Sequence, residues 1–207
     1  MGSERIVMLD FETTGLSPAM GDRITEVAAL RIVDGRVTER FVSLVNCQVY
    51  ISSFITSFTG ITQAMVDRAP PATEVVPALL DFIGADTLAA HNASFDEKFL
   101  QAEAGRLGLA CGHRDLVCSL KLARRVFPGL SSYKLGQLSA QLGVRFRSAA
   151  HRAEADAEAA AEVLIHIGRH LETVHGVAHA DAALLVALNR LSAAKVPAYL
   201  RRHSAAK

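Results

Sequence analysis

The chain has 207 residues, half of them hydrophobic and 21% charged, a composition that fits one globular domain with room for a helical appendix and excludes disordered or collagen-like chains. A formal net charge of +1 offers no global basic field, which argues against a protein that merely coats nucleic acid and leaves any such contact to local patches. Cys47, Cys111 and Cys118 are an odd number without close pairing, which indicates neither a disulfide framework nor a zinc knuckle and places the expected home in a reducing cytoplasm.

The first residues lack the apolar run of a signal peptide, and no apolar stretch reaches the roughly 20 residues that span a bilayer, so no membrane partner is expected. Residues 6–11 form a nearly continuous apolar run, the pattern of a central strand covered on both faces. Gly15, Pro18 and Gly21 mark a loop. Residues 24–33 and 37–45 flank Asp34-Gly35, a hairpin signal that predicts three successive antiparallel strands. After a loop with a small helix capped by Thr62, residues 72–83 have helical spacing and residues 87–90 read as a short buried strand. Helices are then expected over residues 94–106, 119–126, 134–142, 153–171 and 180–191, with Gly108, Gly129 and Gly143 as stops. This order predicts an α/β fold, a mixed sheet flanked by helices. Residues 1–174 are expected to form the main domain and residues 175–207 a helical appendix of unknown role, its basic end from residue 195 reading as a solvated tail.

Four acids stand where acids are costly. Alternation sends Asp10 and Glu12 to one face of a buried strand, and a divalent cation is the simplest counter-charge, hard oxygen ligands suiting magnesium or manganese better than zinc. The alternative is a strand end emerging into solvent. On the helix from residue 153, Asp156 is in line with Ala160, Val163, Leu164, Ile167 and Leu171, whereas Glu154, Glu158, Glu162, Arg169 and Glu172 face the other way. Asp96 repeats the pattern with Phe99, Leu100 and Leu107, and Glu103 shares that stripe. Either aspartate also satisfies a helix dipole, being in or near a first turn. His151, five residues before Asp156, can swing over a site that Asp156 lines and take a proton as a neutral imidazole, unless it is simply a surface residue. Arg145, Arg147 and Arg152 cluster just before this helix, where phosphate contacts are expected.

Three motifs carry a resemblance. They are Asp10-Phe11-Glu12-Thr13-Thr14-Gly15-Leu16, followed by Ile24-Thr25-Glu26-Val27-Ala28-Ala29; His91-Asn92-Ala93-Ser94-Phe95-Asp96; and His151-Arg152-Ala153-Glu154-Ala155-Asp156-Ala157. With the intervening Thr59-Gly60-Ile61-Thr62 and Tyr133-Lys134-Leu135, the chain over residues 5–172 resembles the DnaQ-like exonucleases with the Asp-Glu-Asp-Asp-His signature, found in proofreading subunits of DNA polymerases. The histidine branch is the better match, because the sister branch carries a tyrosine at the place of Arg152. Phe11 and Cys47 depart from common residues of the family, which touches the subfamily rather than the chemistry.

The resemblance implies a ribonuclease-H-like fold in which Asp10, Glu12, Asp96 and Asp156 hold two magnesium or manganese ions, with His151 as general base. It implies release of nucleoside 5′-monophosphates from the 3′ end of a nucleic acid, single-stranded DNA above all, and a polymerase subunit as a possible partner. Thr13, Leu16, His91 and Phe95 would line the terminal nucleotide, Leu16 as an apolar wedge, although Phe95 equally suits the core. Two rival readings are an oligoribonuclease- or ribonuclease-T-like enzyme acting on short RNA, and a non-catalytic module serving a polymerase.

Overall fold

A computed structural model describes residues 5–144 and 151–204; Arg145 and Arg147 of the expected phosphate-contacting cluster lie outside these described residues. The sheet is the mixed one predicted. Strands β1 (Arg5–Thr13), β2 (Ile24–Val33), β3 (Arg36–Leu44), β4 (Thr87–Ala90) and β5 (Leu116–Cys118) lie in the order β3-β2-β1-β4-β5. The β1, β2 and β3 pairs are antiparallel, and β4 and β5 are added parallel to β1. At the β2–β3 turn Asp34 and Gly35 both take positive φ, 50° and 69°, the backbone that a two-residue turn between right-twisted strands requires.

Helices α1 (Ser53–Thr59), α2 (Gln63–Asp67), α3 (Ala72–Ile83), α4 (Ser94–Arg106), α5 (Ser119–Val126), α6 (Leu135–Gln141), α7 (Ala153–His175), α8 (Ala182–Arg190) and α9 (Val196–Ser204) surround the sheet. Period-two alternation in β1 divides the core. Ile6 and Met8 pack with Ala28, Leu30 and Ile32 beneath α7 and the helices around it, while Val7, Leu9 and Phe11 pack with Val27 and Ala29 beneath α3 and α4. No helix among the described residues is long and apolar enough to cross a membrane.

The differences from expectation are local. Helix α7 runs past residue 171 because nothing stops it before Gly176, whose φ of 64° and N–H bonded to Leu171 O form a left-handed cap. Helix α1 is an addition to the expected elements: Ser52 caps it by accepting from Ile55 N, but a segment with Phe54 and Phe58 exposed gives no clean apolar stripe. Strand β5 goes beyond the sequence pattern because three residues cannot show alternation. The described part of the basic tail, to Ser204, is helical and not simply solvated, since α9 buries Val196 and Leu200.

Candidate active site

The site forms where β1 outruns its neighbour. Parallel pairing with β4 ends at Met8 and Ala89, whereas β1 continues to Thr13, leaving one edge of its last residues without a strand partner among the described residues. Asp96, in the first turn of α4 and 3% exposed, fills part of that gap by accepting the Phe11 N–H through Oδ1 at 3.2 Å. On the face of β1 beneath α7, Asp10 and Glu12 continue the row of Ile6 and Met8 and meet Asp156 from the first turn of α7. One carboxylate oxygen from each of Asp10, Glu12 and Asp156 lies within 4.8 Å of the others.

Such crowding opposes ionisation. Burial pushes the Asp96 carboxyl up to about 8, against the pull of the Phe11 N–H. Burial first, then Asp156 and Glu26, pushes Glu12 up to about 7. Asp10 is raised well above the usual carboxylate range by burial and by its acidic neighbours, Asp96 foremost. Asp156 is also raised by burial, with the His151 N–H pulling the other way. Arg152, which draws Glu12 down somewhat, is held by Glu26. The all-oxygen donor set, crowded and short of positive charge, fits hard divalent cations.

Glu26 is the residue whose part the sequence did not reveal. It stands opposite Glu12 in the β1–β2 register, is 3% exposed, and accepts Arg152 Nε at 3.0 Å, Arg152 Nη2 at 2.5 Å and Ala153 N at 2.9 Å. Arg152 itself offers α7 no side-chain cap, so the carboxylate from β2 caps the helix from across the sheet. Its location opposite another acid in a buried strand was the available signal. Glu103 is explained in the same way: Arg23 Nε and Nη2 reach it at 2.6 and 2.8 Å. His151 sits just ahead of this junction with φ of 66°, its N–H donated to Asp156 Oδ2 at 3.0 Å and its exposed ring packed on Phe58 with centroids 4.0 Å apart.

The other expected residues stand at the end of β1 and in the loop after it, just after β4, and at the start of α4. Thr13 is buried and donates through Oγ1 to Gly15 O at 2.6 Å. Leu16 is 77% exposed, and its carbonyl accepts Lys98 Nζ at 2.6 Å, which ties its loop to α4. Gly15 permits that loop, because a Cβ there would come 2.4 Å from Asp22 Oδ1. Phe95 packs on Phe99 at 5.0 Å with Lys98 Nζ above its ring, so its core reading is realised in part. His91 has both ring nitrogens engaged within the protein, at 2.9 Å from Ser119 Oγ and 3.0 Å from Tyr133 O. Of the expected residues, the structure brings Asp10, Glu12, Asp96, Asp156 and His151 together, whereas His91 is engaged with Ser119 and Tyr133.

The chain is similar to several known proteins. Residues 7–164 match the RNase T profile, described as exonuclease. The chain is 34% identical to the DNA polymerase III subunit epsilon of Aquifex aeolicus, covering 83% of this chain and 84% of that protein. It is 36% identical to the 3′-5′ exonuclease DinG of Bacillus subtilis over 81% of this chain but only 18% of that one, and 37% identical to the PolC-type DNA polymerase III of Caldanaerobacter subterraneus over 93% of this chain and 14% of the polymerase. The chain thus spans under a fifth of these two longer relatives. Among solved structures it is similar to exonuclease X in complex with 5′ overhanging duplex DNA, with a TM-score of 0.69, 27% identity, and coverage of 89% of this chain and 99% of that one.

Proposed function

The chain belongs to the RNase T family of DnaQ-like exonucleases, and from that premise we propose that it is a 3′-to-5′ exonuclease of the histidine branch, releasing nucleoside 5′-monophosphates from DNA ends. The observation that carries the reading is the convergence of Asp10, Glu12 and Asp156 within 4.8 Å beside buried Asp96, with His151 bonded to Asp156 at the rim. Relatives named for DNA polymerase and for DinG, and an exonuclease X complexed with DNA, favour DNA over short RNA. A cytoplasmic setting and a polymerase partner, in proofreading or repair, belong to the same reading. Residues 1–174 carry the chemistry in it, and residues 175–207 form a helical appendix.

Asp10, Glu12, Asp96 and Asp156 hold two divalent cations, magnesium or manganese, which when bound supply charge neutralisation and activation of water. His151 accepts the proton of the attacking water as the oxygen–phosphorus bond forms, and the bond to the 3′ oxygen breaks, that oxygen being protonated from solvent. Leu16, the exposed residue on the loop tied down by Lys98, stands against the terminal base, with Thr13, His91 and Phe95 around the nucleotide. Backbone and stacking contacts ignore base identity, so ends are chosen by how readily the last nucleotide leaves its partner.

The test is digestion of 5′-labelled single-stranded DNA, duplex DNA with a mismatched 3′ terminus, fully paired duplex and short RNA. A stepwise ladder shortening from the 3′ end, fastest on single-stranded and mismatched DNA and abolished by chelator, is expected. Preference for short RNA would move the substrate assignment, and a ladder that survives excess chelator would remove the metal-dependent mechanism.

A further inference from the structure

Helix α1 places an aromatic ring against the residue assigned as general base. Its lower side is fixed: Ile55 packs into a small core with Cys47, Ile51, Ile61 and Val66, buried Thr59 bonds Ile55 O at 2.9 Å and receives Ile61 N at 3.0 Å, and Ser52 caps the start. The opposite side carries Phe54 and Phe58, one turn apart, with parallel rings and centroids 6.2 Å apart. Phe58 is 50% exposed, and the group against it is the His151 ring, 4.0 Å away and inclined by 36°.

His151 needs such a support. Its backbone is held by the bond to Asp156, but its side chain is exposed and an unrestrained imidazole distributes over three staggered χ1 wells, whereas the ring resting on Phe58 lies close enough to Asp156 for its charge to act on that carboxyl. Resting on the proposal that His151 is the base, we propose that Phe58 is a positioning residue that holds the His151 ring in the well facing the site. Contact between two rings shifts such a population by about two- to tenfold, and the rate at saturating substrate should follow.

The experiment measures kcat and KM with a 5′-labelled single-stranded DNA oligonucleotide and manganese for wild type, Phe58→Ala, Phe58→Tyr, His151→Ala and the double variant Phe58→Ala/His151→Ala, with thermal melting of each. Phe58→Ala should lose about two- to tenfold in kcat with KM unchanged, Phe58→Tyr should restore it, and Phe58→Ala should have no further effect once His151 is gone. A loss that persists in the His151→Ala background, or that appears in KM, overturns the positioning role and makes Phe58 a direct contact of the nucleic acid. If His151→Ala is crippled and Phe58→Ala is not, only the positioning role fails. An undiminished kcat in His151→Ala removes the base assignment, and the positioning role with it.

Discussion

Glu12 and Glu26 face each other across β1 and β2, the same side chain in the same sheet, yet their surroundings differ. Glu26 has Arg152 and the Ala153 N–H; Glu12 has the edge of that arginine and otherwise acids, and is pushed up to about 7. That contrast separates an acid matched by a cation and a helix N–H from one left without a full counter-charge. It also sets the stability of the metal-free protein. For a carboxyl whose folded pKa is raised, the folded state holds more protons than the unfolded chain, so the stability it contributes is full below the unfolded value and is lost as pH rises through the folded one. With Asp96 raised to about 8 and Glu12 to about 7, metal-free protein should melt at progressively lower temperature from pH 5 to pH 8. Magnesium or manganese should reverse much of the loss, a cation at 100 times its Kd adding about 2.7 kcal/mol. A melting temperature that does not fall over this range, followed by calorimetry in chelator, would contradict the crowded-carboxylate account. By the same logic Asp156→Asn should raise the melting temperature of metal-free protein at pH 8 while reducing turnover at least 100-fold, roughly the scale of losing one well-placed electrostatic group.

At the scale of the element, α7 begins where it does because β2 supplies its cap. Removing the Glu26 carboxylate leaves the Ala153 N–H without its acceptor and frees Arg152, which is 42% exposed at its side chain and can turn to water, so the dominant cost is the buried N–H. Glu26→Ala should therefore destabilise by about 1–3 kcal/mol in urea unfolding, and Glu26→Gln by less, since an amide oxygen can still accept. Equal melting of all three proteins would refute the cross-sheet cap. The start of α7 was legible because Asp156 sits on a long apolar stripe, and the β2–β3 hairpin because Asp34-Gly35 carries its own backbone requirement. Strand β5 and helix α1 were not. Leu116–Cys118 is recognisable only by what it pairs with, and α1 buries just Ile55 and Thr59, too little for periodicity to register. Glu103 was ambiguous for a related reason: a helical stripe shows that an acid points inward but not that Arg23, 80 positions away in the chain, waits there.

Across the whole molecule the sheet must protect two edges, and it does so differently at each. Strand β3 is mostly exposed and carries Arg36, Glu39 and Arg40, charges that discourage pairing with another chain. Strand β5 is covered by α8: Asn189 accepts Cys118 N through Oδ1 at 3.2 Å and donates through Nδ2 to Leu116 O at 3.3 Å, standing in for a neighbouring strand. Beyond this bond pair, Leu184, Leu185, Val186, Leu188, Val196 and Leu200 are buried in the same core as Met8 and Ala89, and α9 is tied back to the end of α7 through Ser204 and His175 O. Helices α8 and α9 are thus proposed as a brace for the sheet. Each buried aliphatic side chain contributes about 1.5–3 kcal/mol, so losing six together, about 9–18 kcal/mol, is as large as the whole net stability of about 5–15 kcal/mol that a domain has to lose. A chain ending after residue 174 should therefore fail to give a cooperative melt, although every proposed catalytic residue is retained. Asn189→Ala tests the edge alone: a loss of about 1–2 kcal/mol in urea unfolding with kcat unchanged is expected. If the shortened chain melted cooperatively at the temperature of the full one, the C-terminal helices would be an independent attachment and the brace would be wrong.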